Sequence, residues 1–380
     1  MNKKAEKKSP MMERAGIWYL KKINKKTQPE RIDYQAYILD NQERDNINRI
    51  EKQAIINVVI AGTLSSIASG LAAFFSDSLI DENASIFSNE NLLYWGIVIG
   101  VTILASLIEI IYIYYDVMAK THALAVAAHM ELFPKDTDEE LIAVPIVRAA
   151  LELPNKKEED INIDPRKESS KIFIVLATIF YKLKISVSNF ILKALVKRML
   201  GRAISRAWLS FISVPVCAFW NGIVCWMVIR EVKIRVLGPS AVNEILNKIS
   251  ISLDTISDKG KLALLRAIGS SIVRTADLHP NLEYMYRSFS QRFGKLPDAV
   301  IDDTHLFLAE LNNVPDNEKE IVLQTLVFAC IIDGKVNYRE KNLLVNAFKT
   351  CNIPFQFSDI DKLRKHFRNG QLLDFNLILK

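Results

Sequence analysis

Residues 54–75 read AIINVVIAGTLSSIASGLAAFF, 22 positions without a charge, bounded by Lys52 and Asp77. At 1.5 Å per residue a helix of that length covers about 33 Å, enough for a hydrocarbon core of about 30 Å. A second run, 92–108 (LLYWGIVIGVTILASLI), adds 17 uncharged residues, and its apolar character persists through Glu109 to Tyr115. Tyr94, Trp95, Tyr112, Tyr114 and Tyr115 lie at its ends, where interfacial aromatics belong. Both runs read as membrane spans, and the short linker 76–91 makes residues 54–116 a transmembrane hairpin. The linker carries Asp77, Asp81, Glu82 and Glu90 and no Lys or Arg, whereas residues 1–53 hold thirteen Lys/Arg. The excess of positive charge on one side predicts a cytoplasmic N-terminus and an external linker.

Small residues recur along both spans: Gly62, Ser66 and Gly70 in the first, Gly96 and Gly100 in the second. Such i, i+4 spacing lets helix backbones approach closely in lipid, so the spans are expected to pack, or the chain to form homo-oligomers, through these faces. Glu109 is the one charge inside a span. An intramembrane acid marks a polar site with an ion or proton role. The competing reading is structural, because Glu109, Asp116 and Lys120 share one stripe of a continuing helix, as a helix leaving the membrane would arrange them.

Residues 117–238 read as a helical, basic, membrane-associated region. AKTHALAVAAHMEL (119–132) is a helical run, and DTDEELIAVPIVRAALEL (136–153) begins with an acidic first turn but contains Pro145. Ile172–Tyr181 is too short to span. Leu192, Leu195 and Met199 share an apolar stripe beside Arg198, Arg202 and Arg206. A third uncharged run of 22 residues, 208–229, holds Pro215 and Asn221 and has basic residues on both flanks. Symmetric positive flanks suit a re-entrant hairpin or a buried helix pair with both ends in the cytoplasm. A single span is the alternative.

Composition is consistent with this division. The chain of 380 residues is 50% hydrophobic and 24% charged, and its mean hydropathy of +0.12 combines long apolar runs with polar soluble parts. Wholesale disorder, collagen and disulfide-rich classes are excluded. The net charge of +6 is concentrated in residues 1–26 and in the block Lys182–Arg206. Beside apolar runs such blocks point to anionic lipid, and no nucleic-acid motif accompanies them. Gly16–Ile23 (GIWYLKKI) reads as a short basic amphipathic helix that lies on a membrane surface or packs on its own protein. The N-terminus lacks the uninterrupted apolar core of a secretory signal. Cys217, Cys225, Cys330 and Cys351 form no CxxC pair or zinc spacing and read as reduced, small apolar residues.

From residue 239 to 380 the chain reads as a helical domain, with helices near 241–253, 258–275, 280–292, 298–312, 316–332, 337–350 and 358–368 separated by Gly260, Pro280, Pro297, Pro315, Gly334 and Pro354. The fold class is therefore all-α: a transmembrane hairpin, a membrane-associated helical segment and a C-terminal helical bundle.

Within that bundle, 325–348 reads TLVFACIIDGKVNYREKNLLVNAF. An aliphatic helix, a DG turn and a Glu seven residues after the Asp resemble the TerB-like family, named for a tellurite-resistance protein, over roughly residues 300–370. The resemblance implies an all-helical domain, a bacterial stress or envelope association and an acidic metal site, for which the matching positions are Asp333 and Glu340. It implies no established reaction. Residues 201–246, with an internal Pro, an Asn and a basic exit, faintly resemble EcsC-type bacterial membrane-associated proteins. The DG turn also matches half of a calcium loop, but the positions that would supply its first two ligands are Ala329 and Ile331, which have no side-chain oxygen. The structural alternative has Gly334 ending one helix, and Asn337 capping the next with Glu340 at N3.

Phosphate-binding, metalloprotease, hydrolase-elbow and kinase signatures are absent from the sequence. His122 and His129 lie seven apart on a helix without a third ligand in register and read as ordinary surface or core histidines. The chain is not expected to be an enzyme. It reads as a membrane-anchored helical scaffold or interaction protein with an unidentified protein partner. Two alternatives are carried. One is a transporter or channel component using Glu109 and the segment broken at Pro215. The other is an enzyme using a divalent metal at Asp333 and Glu340. No other cofactor is implied.

Overall fold

The computed structural model describes residues 11–25, 39–79, 89–133, 139–153, 155, 163–168, 206–253, 256–294 and 299–374. The protein is all-α, with no strand among the described residues. Its helices are α1 (Met11–Asn24), α2 (Asn41–Ser76), α3 (Asn89–Ala127), α4 (Glu139–Ala150), α5 (Arg206–Leu253), α6 (Asp258–Thr275), α7 (Pro280–Phe293), α8 (Thr304–Leu311), α9 (Asp316–Ile331), α10 (Tyr338–Thr350) and α11 (Phe357–Arg368). They divide into two compact units. One gathers residues 1–47, 122–174 and 231–380, and the other 48–121 and 175–230.

The second unit contains the apolar parts of α2, α3 and α5, and each of these three helices is long and apolar enough to cross a membrane. At 36, 39 and 48 residues, they measure about 54, 58 and 72 Å, well beyond a hydrocarbon core of about 30 Å. Two cross-helix bonds fix the direction of α2 against α3. Asn57 Nδ2 donates to Asp116 Oδ1 (2.9 Å), and Lys120 Nζ donates to Gln53 Oε1 (3.1 Å). A step of four forward on α2 matches a step of four backward on α3, so the two run antiparallel. On α5, Gly222 meets α2 closely, since a methyl group there would lie 3.0 Å from Val59 Cγ2.

α5 corrects one expectation. The run 208–229 does not turn back on itself: one helix continues through Pro215, Asn221 and Pro239 to Leu253, and it absorbs the helix expected at 241–253. Proline costs a helix one hydrogen bond and a local bend without necessarily ending it. The basic block Lys182–Arg206 and the segments at 172–199 lie outside the described residues, apart from Arg206 as the first residue of α5.

In the first unit α6 is the central helix, flanked by α7, α8, α9 and α10. Its residues are buried from Ala263 through Val273 without interruption, which an amphipathic helix on a surface would not allow. Ser257 caps its start by accepting from Gly260 N, and Glu318 at the start of α9 accepts from both the Ser257 amide (2.8 Å) and hydroxyl (2.7 Å). Phe289, Phe307, Phe328, Phe348 and Phe367, from α7 to α11, are all fully buried, and each such burial contributes about 1.5–3 kcal/mol. α8 begins at Thr304 rather than near 298 because Asp303 is the N-cap, accepting from Leu306 N. α1 packs against α4, with Gly16 and Leu20 buried and Glu13 ion-paired to Arg148.

Candidate functional site

Asp333 and Glu340, the two acids singled out from the sequence, lie in and just after the turn between α9 and α10. α9 ends at Ile331, and Gly334 reverses the chain at φ 76°, a conformation that favours glycine. Asp333 Oδ1 accepts from Lys335 N (2.8 Å), closing a short loop over that glycine. Asn337 then caps α10 by accepting from Glu340 N (3.0 Å), and Glu340 Oε2 accepts from Asn337 N (2.9 Å). This reciprocal pair is a complete capping box.

Glu340 is fully buried, and its other oxygen accepts from the Ser271 hydroxyl of α6 (3.1 Å). Burial, and then the nearby Asp333 carboxyl, push Glu340 well above the usual carboxylate range. Burial pushes Asp333 up as well, while His279 and Lys335 pull it back. The two acids named from sequence are therefore electrostatic neighbours. Among the described residues no group of three or more His, Cys, Asp or Glu is gathered to hold a metal ion. With both oxygens bonded to protein donors, Glu340 holds α10 to α6.

Asn281, near the start of α7, secures the same turn from behind. Its Nδ2 donates to the carbonyls of Ile234 and Ile332, both at 2.9 Å. It sits so close to α5 that a methyl group at Gly238 would lie 2.2 Å from Asn281 Cγ. His279 caps α7 by accepting from Asn281 N at Nδ1, which leaves Nε2 facing Glu231 at 3.2 Å. Arg235 joins α5 to the 139–155 stretch through bonds to the Pro145 carbonyl and Asn155 Oδ1. Nothing in the sequence marks Arg235. The signal for Asn281 is weak but physical, because an Asn following His-Pro at a helix start is placed to reach outward.

The second candidate lies within the membrane-type unit. Glu109 and Asn221 are buried, and Asn221 Nδ2 donates to Glu109 Oε1 (2.6 Å). Gly62 makes room for the pair: a methyl group there would lie 2.1 Å from Asn221 Nδ2 and 3.4 Å from Glu109 Oε1. Asn221, which sequence reading treats as a flaw in an apolar run, is thus the partner of Glu109. The stripe Glu109, Asp116 and Lys120 turns toward neighbouring helices, meeting Asn221, Asn57 and Gln53 in turn.

His122 and His129 find separate partners, Asn24 Oδ1 (3.4 Å) and Glu43. All four cysteines are free thiols, and Cys330, beside Glu340, is pushed well above its ordinary value by burial. Compared with known proteins, the chain matches no family model, no curated protein and no solved structure.

Proposed function

We propose that this protein is a membrane-anchored helical scaffold whose helical domain binds a protein partner at the cytoplasmic face. The observation that carries the reading is the surface of α3. Leu93, Ile103, Leu104, Leu107, Ile108 and Ile111 are each more than half exposed, and only 6% of its most apolar stretch is buried. An apolar surface of that extent needs lipid or protein around it.

The excess of Lys and Arg in residues 1–53 over the acidic linker 76–91 supports a cytoplasmic N-terminus, with Trp18 exposed on α1 beside Lys22, whose ammonium lies 5.0 Å from the ring centroid, as an anchor for anionic lipid. Tyr338, Val345 and Phe357 are left uncovered on and beside α10 and supply an apolar face for a partner. The TerB-like resemblance of 325–348 adds an envelope or stress context.

Reporter fusions after Lys380 and within 80–88 test the reading. A C-terminus active only with a cytoplasmic reporter, together with an external 80–88 linker, is the expected result. An external C-terminus would mean an odd number of crossings and would refute it.

A further inference from the structure

A line of polar side chains runs between α2 and α3 into the apolar part of the unit. It begins with Gln53 and Lys120, continues with Asn57 and Asp116, and reaches Glu109 and Asn221 beside Gly62. One turn beyond Gly62 on the same face of α2 stands Ser66, with Ser65 next to it. From Lys120 to Glu109 the line covers eleven residue steps of α3, about 16 Å along the helix axis.

Three oxygens along this line have no partner. Asp116 Oδ2, Ser65 Oγ and Ser66 Oγ are inaccessible to solvent and unbonded. Ser66 is 1% exposed and Ser65 6%. Thr63, Ser69 and Thr121 on these helices bond instead to the Val59, Ser65 and Val117 carbonyls one turn back. Buried polar atoms without partners mark places where water or an ion is held. Glu109 itself is 6% exposed and accepts a bond from Asn221, and among the described residues no Lys or Arg is paired with it. A carboxylate at membrane depth with one neutral donor lacks compensation for its charge.

We propose that Glu109, Asn221 and Ser66 form a binding site for a small monovalent cation, Na⁺ or Li⁺, reached along the Gln53–Asn57 side of α2. The donor set is all oxygen: a carboxylate, an amide and a hydroxyl, with no imidazole or thiol. Such a set suits a hard cation. One carboxylate balances one positive charge, which selects a monovalent over a divalent ion. Asp116, at the second rung, adds negative potential along the approach and opposes anions. Gly62 is required because any side chain there would displace the Asn221 amide from the site.

The test uses the full chain in phosphatidylcholine–phosphatidylglycerol vesicles, with dicyclohexylcarbodiimide as the probe of Glu109. Adduct on the Glu109 peptide is followed by mass spectrometry in choline, K⁺, Na⁺ and Li⁺ media. Adduct forms in choline and is absent in Glu109→Gln. With Na⁺ at about ten times its dissociation constant, labelling slows about tenfold, as occupancy of one site requires. Ser66→Ala keeps the labelling but loses most of the Na⁺ protection, a result that a folding defect would not produce. Equal labelling rates in all four media would overturn the proposal. Failure of wild-type Glu109 to label in any medium would overturn it too, by showing that the line of polar groups does not open to Glu109.

Discussion

Replacing Glu340 separates its two sequence readings, helix cap and metal ligand. Glu340→Ala removes two acceptors. The Asn337 amide loses its partner at 2.9 Å and the buried Ser271 hydroxyl loses its partner at 3.1 Å. Each bond is worth about 0.5–1.5 kcal/mol net, and burying an unmet donor adds to the cost, so the expected loss is about 2–3 kcal/mol. Glu340→Gln keeps an amide oxygen for Asn337 N and an NH₂ for Ser271, and Gln is an accepted N3 member of a capping box. It also removes an ionisation that burial opposes. Because the folded-state value of Glu340 is raised, the native protein holds this proton at a pH where the unfolded chain has lost it. The associated stability is fully present below the unfolded value of about 4.3, and is lost as pH rises from there through the folded value. Glu340→Gln is therefore expected to be at least as stable as wild type at neutral pH. Its advantage should shrink as pH falls toward the unfolded value. Thermal unfolding of the detergent-solubilised chain across that range, with and without added Mg²⁺, Ca²⁺ or Mn²⁺, reads both effects. A Gln variant as unstable as the Ala variant, or a wild type stabilised by metal in a way that Gln abolishes, would refute the capping account and restore the metal reading.

Further outcomes follow from close contacts. Asn281→Ala leaves the Ile234 and Ile332 carbonyls without their shared donor and is expected to cost about 2–4 kcal/mol. Asn281→Asp should be worse, since a carboxylate would face two carbonyl oxygens. Proteolysis rates of the folded chain would report both. Gly62→Ala forces the Asn221 amide away from Glu109, so it should lose the Na⁺ protection of Glu109 and about 1.5–3 kcal/mol of stability in detergent, the worth of a hydrogen bond to a charged group. Retention of both would show that the 2.1 Å approach at Gly62 is readily relieved elsewhere.

The sequence makes the all-α class legible because its signals are local. Uncharged runs of helical span length and regularly spaced Pro and Gly breakers state where helices lie without reference to partners. The reading fails where partners decide. Pro215 and Asn221 look like breaks in an apolar run, yet α5 continues through both and Asn221 turns to Glu109. The start of α8 moves to Thr304 because Asp303 provides a cap by accepting from Leu306 N. Asn337 and Glu340 were readable as a capping box since cap chemistry depends on a spacing of three. Ser271, the third member, comes from a helix far away in sequence, and no local pattern points to it.

Each site rests on a side chain that is polar where its neighbours are apolar. Ser271 lies on a helix buried without interruption from Ala263 through Val273, and its hydroxyl serves Glu340. Asn281 is 2% exposed and spends both amide hydrogens on backbone carbonyls. These groups have bonded protein partners, which is how a structural polar group in an apolar core is ordinarily accommodated. Ser66 is buried to the same degree and has none. If the role of Ser66 were only to let helices approach, alanine would serve as well without a stranded hydroxyl. An unbonded hydroxyl alone does not set Ser66 apart, because Ser270 and Thr325 in the first unit are equally buried and also lack a partner. What distinguishes the proposed cation site is the carboxyl of Glu109 beside that hydroxyl's helix face, with Asn221 bonded to it and Gly62 making the room, whereas the carboxyl at the 333–340 turn has both oxygens bonded to protein donors.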